Sequence, residues 1–136
     1  DYKKTKEVYQ NMTRPLNEYY INTSHNTYLL KDQLVGSICL EAYTRVLNMG
    51  NRCVEIDVQN GSDGQPQVFH KHTLTEIYAV SLRDVLETIK DNAFTKSKYP
   101  LILNIENSCD LNQQIKMAEM IGTIFKDMLA PMKLFR

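Results

Sequence analysis

Hydrophobic positions along this chain switch between two spacings. Residues 52–59, RCVEIDVQ, alternate strictly: Val54, Ile56 and Val58 fall on one side, Cys53, Glu55 and Asp57 on the other. That is the period of a β-strand. Residues 39–50, CLEAYTRVLNMG, instead place Leu40, Tyr43, Val46 and Leu47 on one helical face and stop at Gly50, as a helix does. Ahead of them, EYYINTS (18–24) is strand-like, and residues 1–14 are polar without a core stripe and read as a lead-in segment. NGSDGQP (60–66) is a dense turn signal followed by a short strand, QVFH. Ser81 with Asp84 resembles a capping box, and Leu82, Val85, Leu86, Ile89 and Ala93 form the stripe behind it. Pro100 precedes a buried strand, LILNIE (101–106). Asp110 then caps a last helix bearing Leu111, Ile115, Ala118, Ile121, Phe125 and Met128. The predicted string is β-α-β-β-α-β-α, an α/β chain whose sheet is mainly parallel with right-handed crossovers. The methionines and phenylalanines of the helices read as core filling.

Composition narrows the choices. At 136 residues the chain is one domain or a piece of one, and 43% apolar with 24% charged residues excludes a disordered tail. Lys+Arg and Asp+Glu balance at 16 each, so no net field draws the chain to nucleic acid. No apolar run is long enough to span a bilayer. Three cysteines (Cys39, Cys53 and Cys109) share no close spacing, which fits a reducing compartment better than a disulfide framework.

The unusual polar residues all fall near strand ends. His25 and Asn26 follow the first strand, Glu55 and Asp57 lie in the second, His70 ends the third and Glu106 the fourth. The C-terminal ends of strands in parallel α/β folds share one face, so these side chains are expected to converge. Carboxylates on such strands carry a desolvation cost unless something cationic meets them. Three carboxylates and an amide oxygen suit a hard cation such as Ca²⁺, whereas zinc favours histidine and cysteine. With a metal present, His25 and His70 fit acid–base groups or stabilisers of charge on a phosphoryl oxygen. Taken singly, each residue has a bland alternative, a satisfied strand-end histidine or an ordinary ion pair. His72 and Lys71 read as rim, solvated or substrate contacts.

The stretches PLNEYYINTSHNTYLLKDQL, NRCVEIDVQNG, VFHKHTLT and YPLILNIENSC, with the following QQ helix, resemble the X region of eukaryotic phosphoinositide-specific phospholipase C from about Met12 to about Ala130. The resemblance implies the first half of a TIM-like (β/α)₈ barrel at 15–130, a tail at 131–136, and a Y half outside this chain. It implies Ca²⁺-dependent hydrolysis of phosphatidylinositol 4,5-bisphosphate to diacylglycerol and inositol 1,4,5-trisphosphate through a cyclic inositol phosphate, in intracellular signalling. The enzyme would act from the cytoplasm, transiently at the inner face of membranes. On that resemblance His25 and His70 are the catalytic pair, and Asn26, Glu55, Asp57 and Glu106 hold calcium. Leu34 and Leu74 belong to a hydrophobic membrane rim. Gln59, Asn60, Lys71 and Asn104 depart from the family pattern; Lys71 and Asn104 bear on rate and headgroup fit. The partners implied are a phosphoinositide lipid and the Y half of the same polypeptide, with no nucleic acid. The alternative is a catalytically inactive phosphoinositide-binding scaffold of the same fold. A fragment of this size is expected to be inactive alone, because a (β/α)₈ barrel typically takes about 250 residues.

Overall fold

The computed structural model describes residues 8–30, 37–69 and 79–131. Leu34, His70, Lys71, His72 and Leu74 lie outside the described residues.

The alternating stretch forms the central strand, β4 (Cys53–Asn60). Short strands precede it: β1 (Thr23–Ser24), β2 (Leu29–Leu30) and β3 (Ser37–Ile38), followed by helix α1 (Leu40–Asn48). After it come β5 (Pro66–Val68), β6 (Val80–Ser81), α2 (Leu82–Asn92), β7 (Ile102–Asn107) and α3 (Leu111–Phe125), with short 3₁₀ turns at Leu16–Glu18 and Lys126–Met128. β2 and β3 form a small antiparallel pair of their own.

β4 is partnered on both edges. β7 runs parallel along one edge, from the Cys53–Ile102 pair to the Val58–Asn107 pair. β1 runs parallel beside the start of the other edge, and β5 runs antiparallel beside its end, where Val58 pairs with Val68. β6 continues antiparallel from β5. The sheet is therefore mixed. The expected third strand is a return hairpin, because the turn at 60–66 reverses the chain directly onto its neighbour, and a short link can make only an antiparallel pair. Gly61 makes the turn possible: a Cβ there would stand 2.1 Å from the Gln65 carbonyl oxygen.

Two further expectations are corrected. The first strand is two residues long (Thr23–Ser24), with the 3₁₀ turn at Leu16–Glu18 within the preceding segment. Ser81 caps α2 by position, yet its side chain makes no capping hydrogen bond. Asp110 does cap α3, accepting from the Gln113 N–H.

One face of β4 makes the core. Val54, Ile56 and Val58 are fully buried against Tyr43 and Leu47 of α1, Leu82, Val85, Leu86 and Ile89 of α2, and Met117, Met120, Ile124 and Phe125 of α3. On α3 the buried stripe differs from the expected one: Gln113, Met117, Met120, Ile124 and Phe125 face inward, while Leu111 (70% exposed) and Ile115 (51% exposed) face outward. The helix carries two apolar stripes, and the Gln113 amide decides between them. Its Oε1 accepts from the Gly61 N–H and its Nε2 donates to the Gly61 carbonyl, each at 3.0 Å. Those bonds turn the Gln113 side of the helix towards the β4–β5 turn. The other face of β4, with Glu55 and Asp57, carries the polar residues.

Candidate active site

Strand register assembles the polar face. Ser24 pairs with Val54, so the chain leaving β1 delivers His25 and Asn26 alongside Glu55. In the parallel β4–β7 pair, Glu55 lies opposite Asn104 and Asp57 opposite Glu106. Arg52 secures that register from the strand's start: its guanidinium donates to the carbonyls of Ala93 (2.7 Å), Tyr99 (2.7 Å) and Pro100 (3.3 Å), tying the α2–β7 connection to β4.

Glu55, Asp57 and Glu106 bring one carboxylate oxygen each to within 4.8 Å of one another. Glu55 and Asp57 are buried, at 4% and 7% exposure, and Glu106 is exposed. Two of these groups have specified partners. The backbone N–H of Asn26 donates to Glu55 Oε2 at 3.1 Å, from a left-handed conformation (φ 46°) that Asn tolerates better than most residues. The Tyr28 hydroxyl donates to Asp57 Oδ2 at 2.6 Å and lies 3.0 Å from Asn26 Oδ1. Asp57 Oδ1 is buried and has no hydrogen-bond partner among the described residues. An oxygen of a buried carboxylate left in that state costs free energy, and a cation would relieve it.

Electrostatics point the same way. Burial pushes the Glu55 carboxyl above its ordinary value, and Asp57 and Glu106 add to the rise; the Asn26 N–H and the nearby His25 oppose it. Burial, reinforced by the bond to Asp57, also keeps the Tyr28 phenol protonated far above its usual range. Negative charge is thus concentrated where little solvent screens it. His25, 76% exposed, brings Nε2 to 3.9 Å from Glu55 Oε2, at the open side of the cluster.

The family model for phosphatidylinositol-specific phospholipase C, X domain, matches residues 12–135. This chain belongs to that family. It is 50% identical over 123 residues to human (Homo sapiens) 1-phosphatidylinositol 4,5-bisphosphate phosphodiesterase eta-1, covering 90% of this chain and 7% of that protein. It is 49% identical over 124 residues to the delta-3-A phosphodiesterase of Danio rerio, covering 90% and 16%. The crystal structure of PLC21 from S. officinalis superposes with a TM-score of 0.82 at 42% identity, over 88% of this chain and 15% of that one. PLC21 from L. pealei gives 0.84 at 41%, over 90% and 16%. The X domain described here therefore spans a small part of the length of these relatives, and its mixed α/β sheet fits the first half of their barrel.

Of the residues expected in the X-domain site, the described structure brings together His25, Asn26, Glu55, Asp57 and Glu106. Asn104 sits beside them, exposed on β7, opposite Glu55. The departure at Asn60 has a structural role: its Nδ2 donates to Asp110 Oδ2 (2.9 Å) and its Oδ1 accepts from the Asp110 N–H (3.0 Å), joining β4 to the start of α3. Sequence reasoning missed Thr27, Tyr28 and Tyr43. Thr27 Oγ1 accepts from the Glu55 N–H at 3.0 Å, and the Tyr43 hydroxyl donates to the Glu55 carbonyl at 2.9 Å. The available signal was a phenol three residues after His25, in a stretch otherwise turning polar. A cavity of about 830 Å³ lies elsewhere, lined by Tyr9, Tyr20, Asn22, Arg52, Tyr99 and Pro100 among others. Asn22, Arg52 and Pro100 precede β1, β4 and β7, so it opens at the strands' N-terminal end, and among the described residues its lining includes no carboxylate or histidine.

Proposed function

We propose that this X domain supplies half the barrel of a Ca²⁺-dependent phosphoinositide phosphodiesterase. It would cleave phosphatidylinositol 4,5-bisphosphate, the lipid for which its relatives are named, to diacylglycerol and inositol 1,4,5-trisphosphate. The observation that supports this best is the buried Asp57 Oδ1, without a hydrogen-bond partner among the described residues, within a cluster of three carboxylates. An all-oxygen donor set of Asn26, Glu55, Asp57 and Glu106 suits calcium, which takes about 6–8 oxygen ligands. When bound, the ion supplies charge for the phosphoryl group and acidifies the inositol 2-hydroxyl.

The chain's own residues do the rest. His25, on the exposed side of the cluster, directs an N–H at a phosphoryl oxygen and stabilises the charge that builds there. The inositol 2-hydroxyl oxygen attacks phosphorus, giving its proton to a carboxylate of the cluster, while the bond to the diacylglycerol oxygen breaks. His70 protonates that leaving oxygen. It then takes a proton from the water that attacks the cyclic inositol phosphate, while the bond from phosphorus to the inositol 2-oxygen breaks and the carboxylate returns its proton to that oxygen. The part given to His70 rests on the family resemblance, as do the rim roles of Leu34 and Leu74. The domain division, with 15–130 as the X half and a Y half from the same polypeptide, is part of the same reading, as is transient action at the inner face of a membrane. Among the described residues no helix is long and apolar enough to cross one.

The test uses the full-length protein on vesicles containing labelled phosphatidylinositol 4,5-bisphosphate. Soluble inositol phosphate appears with calcium and is lost with a chelator; His25→Ala and His70→Ala lose turnover and still bind the vesicles. Vesicle binding without release from the wild type would favour the inactive scaffold.

A further inference from the structure

Tyr28 is fully buried, yet its hydroxyl reaches into the most polar part of the molecule. Its ring belongs to the buried hydrophobic core. The phenol has one proton. The 2.6 Å contact to the Asp57 carboxylate takes it, since bonds to charged acceptors are the shorter and stronger ones. The same oxygen lies 3.0 Å from the Asn26 amide. One rigid ring, anchored in apolar packing, therefore touches two side chains of the cluster that arrive on different elements, Asn26 from the turn after β1 and Asp57 from β4.

The two Asp57 oxygens are consequently not equivalent. Oδ2 is occupied by Tyr28, and Oδ1 is buried without a partner among the described residues. A free carboxylate can rotate and can bind a cation through one oxygen or both. This one is held by one oxygen so that the other is presented.

We infer that Tyr28 is a positioning residue for a divalent cation: its hydroxyl occupies Asp57 Oδ2 and leaves Oδ1 as a single-oxygen ligand. The inference rests on the calcium reading above. Groups that orient metal ligands typically cost 10–100-fold in metal affinity when removed. Tyr43 provides the contrast. It is equally buried, and its hydroxyl bonds the backbone carbonyl of Glu55 and no cluster side chain.

The test is a calcium titration of the full-length protein by calorimetry, with Glu55→Gln marking the ion that belongs to this cluster. Wild type is expected to bind one calcium more than Glu55→Gln. Tyr28→Phe, which keeps the ring and removes the hydroxyl, binds that ion 10–100-fold more weakly, while Tyr43→Phe binds it as wild type does. If wild type and Glu55→Gln titrate alike, the calcium reading fails and this inference with it. If Glu55→Gln loses an ion while Tyr28→Phe keeps wild-type affinity, or Tyr28→Phe and Tyr43→Phe weaken it equally, the positioning role alone is overturned. A calcium-bound crystal structure of the wild type tests the same point without a variant. The ion should touch Oδ1, with Oδ2 still on Tyr28; an ion chelated by both oxygens would contradict it.

Discussion

Asp57 and Glu106 stand directly opposite each other on adjacent parallel strands, two carboxylates at neighbouring positions of one sheet face. Like charges so placed destabilise a sheet, and the burial of Asp57 sharpens the effect. The arrangement is costly for a chain alone and useful to one that binds a cation. In the full-length protein with chelator, Glu106→Gln should leave the melting temperature of the region containing the X domain unchanged or raise it slightly. With calcium the wild type should gain stability, about 2.7 kcal/mol at 100 times its dissociation constant, and Glu106→Gln should lose most of that gain. Differential scanning calorimetry in the two buffers measures both.

Glu55 gives a pH dependence whose sign follows from its environment. Burial raises its carboxyl above the ordinary 4.5, so the folded chain binds the proton more tightly than the unfolded one. Its contribution to stability is present below the unfolded value and is lost as pH rises through the folded value. Thermal unfolding in chelator should therefore show wild type losing stability relative to Glu55→Gln across that window. A cation competes with the same proton, so apparent calcium affinity should climb over the window and level off above it. A calcium affinity independent of pH across the carboxylate range would contradict the ligand role of Glu55.

The β4–β5 turn offers a test outside the chemistry. A Cβ at Gly61 would fall 2.1 Å from the Gln65 carbonyl oxygen, a contact backbone cannot accommodate without shifting. Gly61→Ala should destabilise the domain by about 2 kcal/mol or more. Gln113→Leu, which strands the Gly61 N–H and carbonyl, should cost about 1–3 kcal/mol. Limited proteolysis of the full-length protein should find cleavage faster in both variants.

Much of this arrangement was legible from spacing. The strict alternation of β4 announced both its core face and its acidic face, and the stripe of Leu82, Val85, Leu86 and Ile89 on α2 is buried as expected. Asp110 caps its helix as its position suggested. Two of the misses, on α3 and at Tyr28, were decided by long-range partners, and one by a local turn. Two apolar stripes on α3 look alike in sequence, and the Gln113 amide bonds to Gly61 selected between them. The polarity of β5 depended on how tightly the turn at 60–66 closes. Tyr28 lies past the strand-like stretch 18–24 and drew no assignment; its hydroxyl acquires meaning from Asp57, which lies 29 residues away in sequence.

Anomalous diffraction from crystals of the full-length protein grown with calcium tests the central claim most directly. An anomalous peak about 2.3–2.6 Å from Asp57 Oδ1, shared with oxygens of Asn26, Glu55 and Glu106, is the predicted result. Absence of that peak, under conditions where the full-length protein is found to cleave lipid, would contradict the account.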